Sequence, residues 1–101
     1  MKKDNTINWL YFLIQITADQ RLNVWHISLL LAIVKIAYIQ NDNETIFVSR
    51  SKLMYQSHIK SIPTYHKYFK DLQNFGYIKY TPSYHPGYQS TIDFLNFKII
   101  Y

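Results

Sequence analysis

Ser61, Thr64, His66, Lys67 and Lys70 follow one another closely, in a stretch whose apolar members are Ile62, Tyr65, Phe69, Leu72 and Phe75. On a helix the apolar set makes one face and the polar set turns outward. Such a polar set suits nucleic acid. Ammonium groups pair with phosphate oxygens and donate to guanine O6 and N7, while hydroxyl and imidazole groups make shorter hydrogen bonds at base edges. The first turn of such a helix reaches deepest, so Ser61, Thr64 and His66 are predicted at bases or the nearby backbone. Lys60, Lys67 and Lys70 are predicted at phosphates.

The charge distribution points to the same segment. The 101 residues (12.2 kDa) carry a net charge of +5 and a pI near 9.4. Between Ser49 and Tyr80, Arg50, Lys52, Lys60, Lys67, Lys70 and Lys79 face Asp71 alone. Elsewhere Lys2, Lys3, Arg21, Lys35 and Lys98 are matched by Asp4, Asp19, Asp42, Glu44 and Asp93. An electrostatic footprint therefore belongs to the middle of the chain, and Arg50, Lys52 and Lys79 join the candidate phosphate contacts. Asp71, beside Lys70, reads as a surface charge.

Other chemistries find little support. There is no cysteine, which excludes disulfides, thiolate metal sites and cysteine nucleophiles and agrees with a cytoplasmic location. His26, His58, His66 and His85 show no close metal-ligand spacing, so no metal is expected. Two glycines, no serine elbow and no paired carboxylates argue against an enzyme, and no cofactor or small-molecule ligand is expected. The tyrosines from Tyr55 to Tyr88 could stack on single-stranded bases, but Tyr65 and Tyr77 fall on core positions, and duplex DNA is favoured over RNA. Met1-Lys2-Lys3 followed by Trp9–Ile14 looks superficially secretory. Asp4, Gln15 and the lack of a small-residue cleavage site oppose that reading. The apolar run from Val24 to Ile39 is too short and too polar to span a bilayer.

The elements that would hold these residues follow from periodicity and caps. Trp9, Phe12, Leu13 and Ile16 mark a helix over 8–18, and Asn23 caps a long one over 24–40. That second helix is apolar nearly all round: Ile27, Leu30, Leu31, Val34 and Tyr38 form one stripe, with Leu29, Ile33 and Ile36 beside it. A strand is predicted at 45–48 and a short helix at 51–57, capped by Ser49 or Ser51. A further helix at 62–75 is capped by Ser61, with Pro63 in its first turn and Gly76 after its end. Strands at 77–81 and 90–95 flank a turn at His85-Pro86-Gly87-Tyr88. No linker or repeat divides the chain, so residues 1–101 read as one domain.

This order predicts an α+β, mainly α fold, a winged helix-turn-helix with an N-terminal helical extension and a C-terminal β-hairpin wing. The helix over 62–75 is then the recognition helix. Tyr84, His85, Tyr88 and Gln89 at the hairpin tip become candidate backbone or minor-groove contacts, although such wings usually carry Arg or Lys. Arg21-Leu22-Asn23, His26-Ile27-Ser28-Leu29, Val48-Ser49-Arg50, Lys52-Leu53-Met54, Thr64-Tyr65-His66-Lys67, Gly76-Tyr77-Ile78-Lys79-Tyr80 and Pro82-Ser83-Tyr84 resemble segments of small bacterial winged-helix proteins. Those are described as transcriptional regulators or DNA-binding proteins and are often encoded near mobile elements. The resemblance runs over most of the chain and implies sequence-specific binding of double-stranded DNA, by a transcriptional regulator or a mobile-element accessory factor. Tyr65 and Phe69, where smaller aliphatics are usual, and Pro63 depart from the broader pattern.

The apolar second helix also suggests a homodimer through the N-terminal helices, with Trp9, Tyr11, Trp25 and Leu29 at the interface. The alternative is that the first helix and the segment 95–101 complete a single core. The competing function is a winged-helix protein–protein interaction module without DNA binding, its basic face meeting an acidic partner.

Overall fold

Asn23 starts the helix around which the rest of the chain is arranged. Its side-chain oxygen accepts the backbone N–H groups of Trp25 (2.9 Å) and His26 (3.3 Å), two donors that a helix start leaves unpaired. His26 answers by accepting the Asn23 N–H at Nδ1, 2.9 Å away, the role a glutamate plays in a capping box. A computed structural model describes residues 2–40, 45–85 and 87–95, with side chains from Leu10 onward. The elements are α1 (Lys2–Ala18), α2 (Val24–Gln40), β1 (Ile46–Val48), α3 (Arg50–Ser57), α4 (Ile62–Asn74), β2 (Ile78–Thr81) and β3 (Ser90–Phe94). The described residues thus form a mainly helical α+β fold with a three-stranded antiparallel sheet in the order β1-β3-β2.

The periodicity reading differs from the structure in two places. Helix α1 begins at Lys2 rather than near residue 8. In α2 the inner face is the neighbouring stripe, Leu29, Leu30, Ile33, Ile36 and Ala37, while Leu31 and Tyr38 face outward and Ile27 and Val34 are half-buried. A helix apolar on every side carries no moment to choose its buried face, so its neighbours choose it. Those neighbours are α3, α4 and β1, with Phe12 and Ile16 of α1 also in the core. Leu29 is fully enclosed in this core, which corrects its place at a dimer surface.

The shorter elements are closed by local bonds. Ser49 Oγ accepts the Lys52 N–H at 3.1 Å and starts α3. His58, in the left-handed region at φ 63°, ends α3 by donating its N–H to the Met54 and Tyr55 carbonyls. Ser61 caps α4, accepting the Thr64 N–H at 3.4 Å, and Gly76 follows at φ 83°. Strand β3 lies between the other two, with Ile92 opposite both Ile46 and Tyr80. The Gln40 side chain meets the Phe47 backbone, donating to its carbonyl (2.6 Å) and accepting its N–H (3.0 Å), and so occupies polar groups on an edge strand. Between β2 and β3, the Tyr88 N–H donates to the His85 carbonyl at 3.1 Å and Gly87 takes a positive φ of 89°, which glycine adopts without steric cost. No helix among the described residues is long and apolar enough to cross a membrane.

Candidate functional site

The inner side of α4 is fixed by Tyr65, Phe69 and Leu72, all buried, with the Tyr65 and Phe69 rings stacked at 5.2 Å. Tyr80 of β2 meets Phe69 edge-on at 5.0 Å and joins the helix to the sheet. These contacts turn His66, Lys67 and Lys70 to solvent. Lys67 Nζ rests 5.4 Å from the centre of the Tyr68 ring, which holds the ammonium near the helix surface. Thr64 is half-buried. Ser61 is exposed, and as the cap of α4 its oxygen already accepts one hydrogen bond.

Arg50 opens α3 and reaches the side of α4 that carries His66 and Lys70. Together they border a concavity of about 480 Å³ whose walls include Tyr65, Gln73 and Tyr80. Among the described residues the lining contains no carboxylate. Asp71, read from the sequence as a surface charge, is turned the other way: its Oδ2 lies 2.9 Å from Nε2 of buried His26 on α2. The acid nearest the cations in sequence is therefore engaged on the opposite side of the helix. Periodicity gives no hint of that pairing, because its partner is 45 residues distant.

The other predicted contacts lie outside this concavity. Lys52 is exposed on α3. Lys60, in the turn before α4, lines a separate hollow with Lys35, Tyr55 and His58. Lys79 is exposed on β2 directly across from Asp93, an opposite charge that reduces its field at a phosphate. Tyr84, His85, Tyr88 and Gln89 are all exposed at the hairpin tip, where the His85 and Tyr88 rings meet edge-on at 5.0 Å. Gln73 and Tyr80 belong to the site and were not singled out from the sequence. Their signal would have been the His66–Lys70 spacing of one helical turn with Gln73 beside it.

Among the proposed interface residues, Tyr11 is 58% exposed and Trp25 40%, the latter stacked on Tyr68 at 6.4 Å. The Trp9 side chain lies outside the described residues, as does Pro86 of the hairpin turn. Leu10 and Ile14 extend the exposed apolar surface next to Tyr11.

A second polar cluster ties the α1–α2 turn to the start of the hairpin. Asp19 Oδ2 accepts from the Tyr77 hydroxyl at 2.6 Å and from Arg21 Nη2 at 2.7 Å, while Arg21 Nε and its backbone N–H donate to Oδ1. The Arg21 guanidinium lies 4.7 Å from the centre of the Phe75 ring. The Arg21 hydrogen bond, followed by that from Tyr77, holds the Asp19 carboxyl well below the usual carboxylate range. Burial first and the Asp19 bond second push the Tyr77 hydroxyl up to about 12. Every strong group here is matched, so the cluster is a structural clasp. Among the described residues no group of three His, Asp or Glu side chains could hold a metal ion.

The fold and site define a small, mainly helical α+β protein with a cation-bordered concavity beside an exposed helix. No family model, curated protein or solved structure matches the chain.

Proposed function

We propose that the protein binds double-stranded DNA as a winged helix-turn-helix regulator, controlling transcription or a mobile-element process by occupying a site. The observation that carries this reading is the convergence of Arg50, His66 and Lys70 on one side of α4 while Asp71 is held by His26 on the other. The order α3, a short turn, α4 and then the β2–β3 hairpin supports α4 as the recognition helix and the hairpin as the wing. Exposed Lys67 and Lys52 extend the phosphate contacts, and the tip residues Tyr84 and Tyr88 supply neutral contacts beside them. The resemblance to small bacterial winged-helix regulators points the same way.

A homodimer would present two such helices to successive half-sites about 34 Å apart. Among the described side chains of α1, Leu10, Tyr11, Leu13 and Ile14 are exposed apolar residues available for it, with Trp25 in the first turn of α2. Sedimentation that finds only monomer at high micromolar concentration removes the dimer.

Fluorescence anisotropy with a random-sequence duplex, repeated from about 50 to about 200 mM salt, tests the main reading, since phosphate contacts predict a steep loss of affinity across that range. Failure to bind duplex at the lowest salt sinks it and leaves the protein-interaction module. Site selection should then yield one duplex favoured by roughly a thousandfold over random sequence.

A further inference from the structure

Tyr65 is only 4% exposed, its ring held between Phe69 and the edge of His66, yet its hydroxyl makes no hydrogen bond with any described residue. Buried polar groups are almost always satisfied, and one left alone in a native protein points to a water or ligand that completes it. The phenol lines the concavity between α3, α4 and β2, together with Arg50, His66, Lys70, Gln73 and Tyr80. Burial pushes its pKa up, Tyr80 adding to the effect and Arg50 opposing it. The hydroxyl therefore keeps its proton at neutral pH and offers a donor, in a space that Arg50 and Lys70 make positive and that no carboxylate of the described residues lines.

We propose that this concavity is a binding site for a phosphate ester, with the Tyr65 hydroxyl donating to a phosphate oxygen, Arg50 and Lys70 balancing its charge and the His66 imidazole beside them. Charge-assisted hydrogen bonds to an anion are the strong kind, and a neutral donor backed by cations gives direction to an otherwise diffuse attraction. A volume of about 480 Å³ exceeds what a bare phosphate fills and lies within the range of small-ligand pockets. The remaining space, beside Tyr80 and the Gln73 amide, takes the sugar and ring of a nucleotide. The phosphate has two sources, a nucleic-acid backbone or a free nucleotide, and the site stands on Tyr65 and its surroundings whether or not duplex DNA is the protein's target.

The test titrates the full chain and its Tyr65→Phe variant with inorganic phosphate, deoxyadenosine monophosphate and a short duplex, by calorimetry at fixed ionic strength. Tyr65→Phe is expected to weaken binding of at least one of the three by roughly tenfold or more. Its unfolding midpoint should equal or exceed that of the parent chain, because the hydroxyl has no partner among the described residues to lose. Weakened binding of inorganic phosphate or the monophosphate identifies a free ligand; weakening confined to the duplex identifies the backbone. Arg50→Gln, which leaves the ring packing intact, should weaken the same ligand more than Lys35→Gln, which removes an equal charge elsewhere. If Tyr65→Phe binds all three as the parent does, or the parent binds none, the proposal is overturned. Duplex binding that is steep in salt, with Tyr65→Phe weakening none of the three ligands, overturns this site alone, whereas Tyr65-dependent monophosphate binding without duplex binding overturns the DNA reading alone.

Discussion

His26 Nε2 lies 2.9 Å from Asp71 Oδ2 and joins the first turn of α2 to the middle of α4. Because the Asn23 N–H is donated to Nδ1, that nitrogen keeps its lone pair and the ring proton sits on Nε2, aimed at the carboxylate. One imidazole thus caps its own helix and orients the helix that carries the candidate site. Tyr68 and Phe75 close around the ring at 4.8 and 5.6 Å.

Asp71→Ala removes the acceptor and leaves a buried N–H unpaired. A loss of about 1–3 kcal/mol is expected. In a domain of this size each kcal/mol lowers the melting temperature by roughly 4–8 °C, so thermal unfolding followed by circular dichroism reads the effect directly. An unchanged melting temperature would show that the pairing contributes nothing.

The Asp19–Tyr77 clasp makes stability depend on pH at both extremes. Asp19 is depressed from its ordinary 3.8, so its contribution is complete above about pH 4 and is lost as the pH falls towards the folded-state value. Tyr77 is raised from 10.0 to about 12, so its contribution is complete below pH 10 and disappears as the pH climbs from 10 to 12. Urea midpoints should show the deficit of Asp19→Asn shrinking below pH 4. Above pH 10 the parent chain should lose stability more steeply than Tyr77→Phe.

His58 occupies the left-handed region that an α-helix end usually gives to glycine. With its side chain exposed, His58→Gly relieves the backbone without removing packing and should stabilise the protein by about 0.5–1 kcal/mol. A lowered urea midpoint would show that the imidazole has a role of its own.

On the proposed DNA face, Lys67→Ala should weaken all duplexes about equally and reduce the salt slope by about one, whereas Thr64→Ala and His66→Ala should change preference among sequences. Competition between a selected site and random duplex separates the two effects. If all three variants bind as the parent does, α4 is not the recognition helix.

The helix boundaries around the site are legible in the sequence where a side chain acts on its own neighbourhood. Ser49 and Ser61 cap α3 and α4 as their positions suggest, and Gly76 and Gly87 supply the positive φ angles that close α4 and the hairpin. What depends on distant packing is not legible. The inner face of α2 is chosen by α3, α4 and β1, and nothing in an all-apolar helix foretells it. Asp71 acquires its role only when α2 brings His26 beside it. Tyr65 reads correctly as a core ring, but that it lines a concavity bordered by Arg50 follows from the placing of α3 and β2 against α4.

The central position of β3 has a consequence for how the protein is made. Neither β1 nor β2 has a strand neighbour until residues 90–94 arrive, since both pair with β3 and not with each other. During synthesis the helices can collapse around α2 while the sheet waits for β3 to leave the ribosome. Tyr80, which completes the wall of the concavity, is paired with Ile92 only at that moment. A nascent chain therefore carries its cations from early on but gains a fully walled cleft only once residues 90–94 have been made.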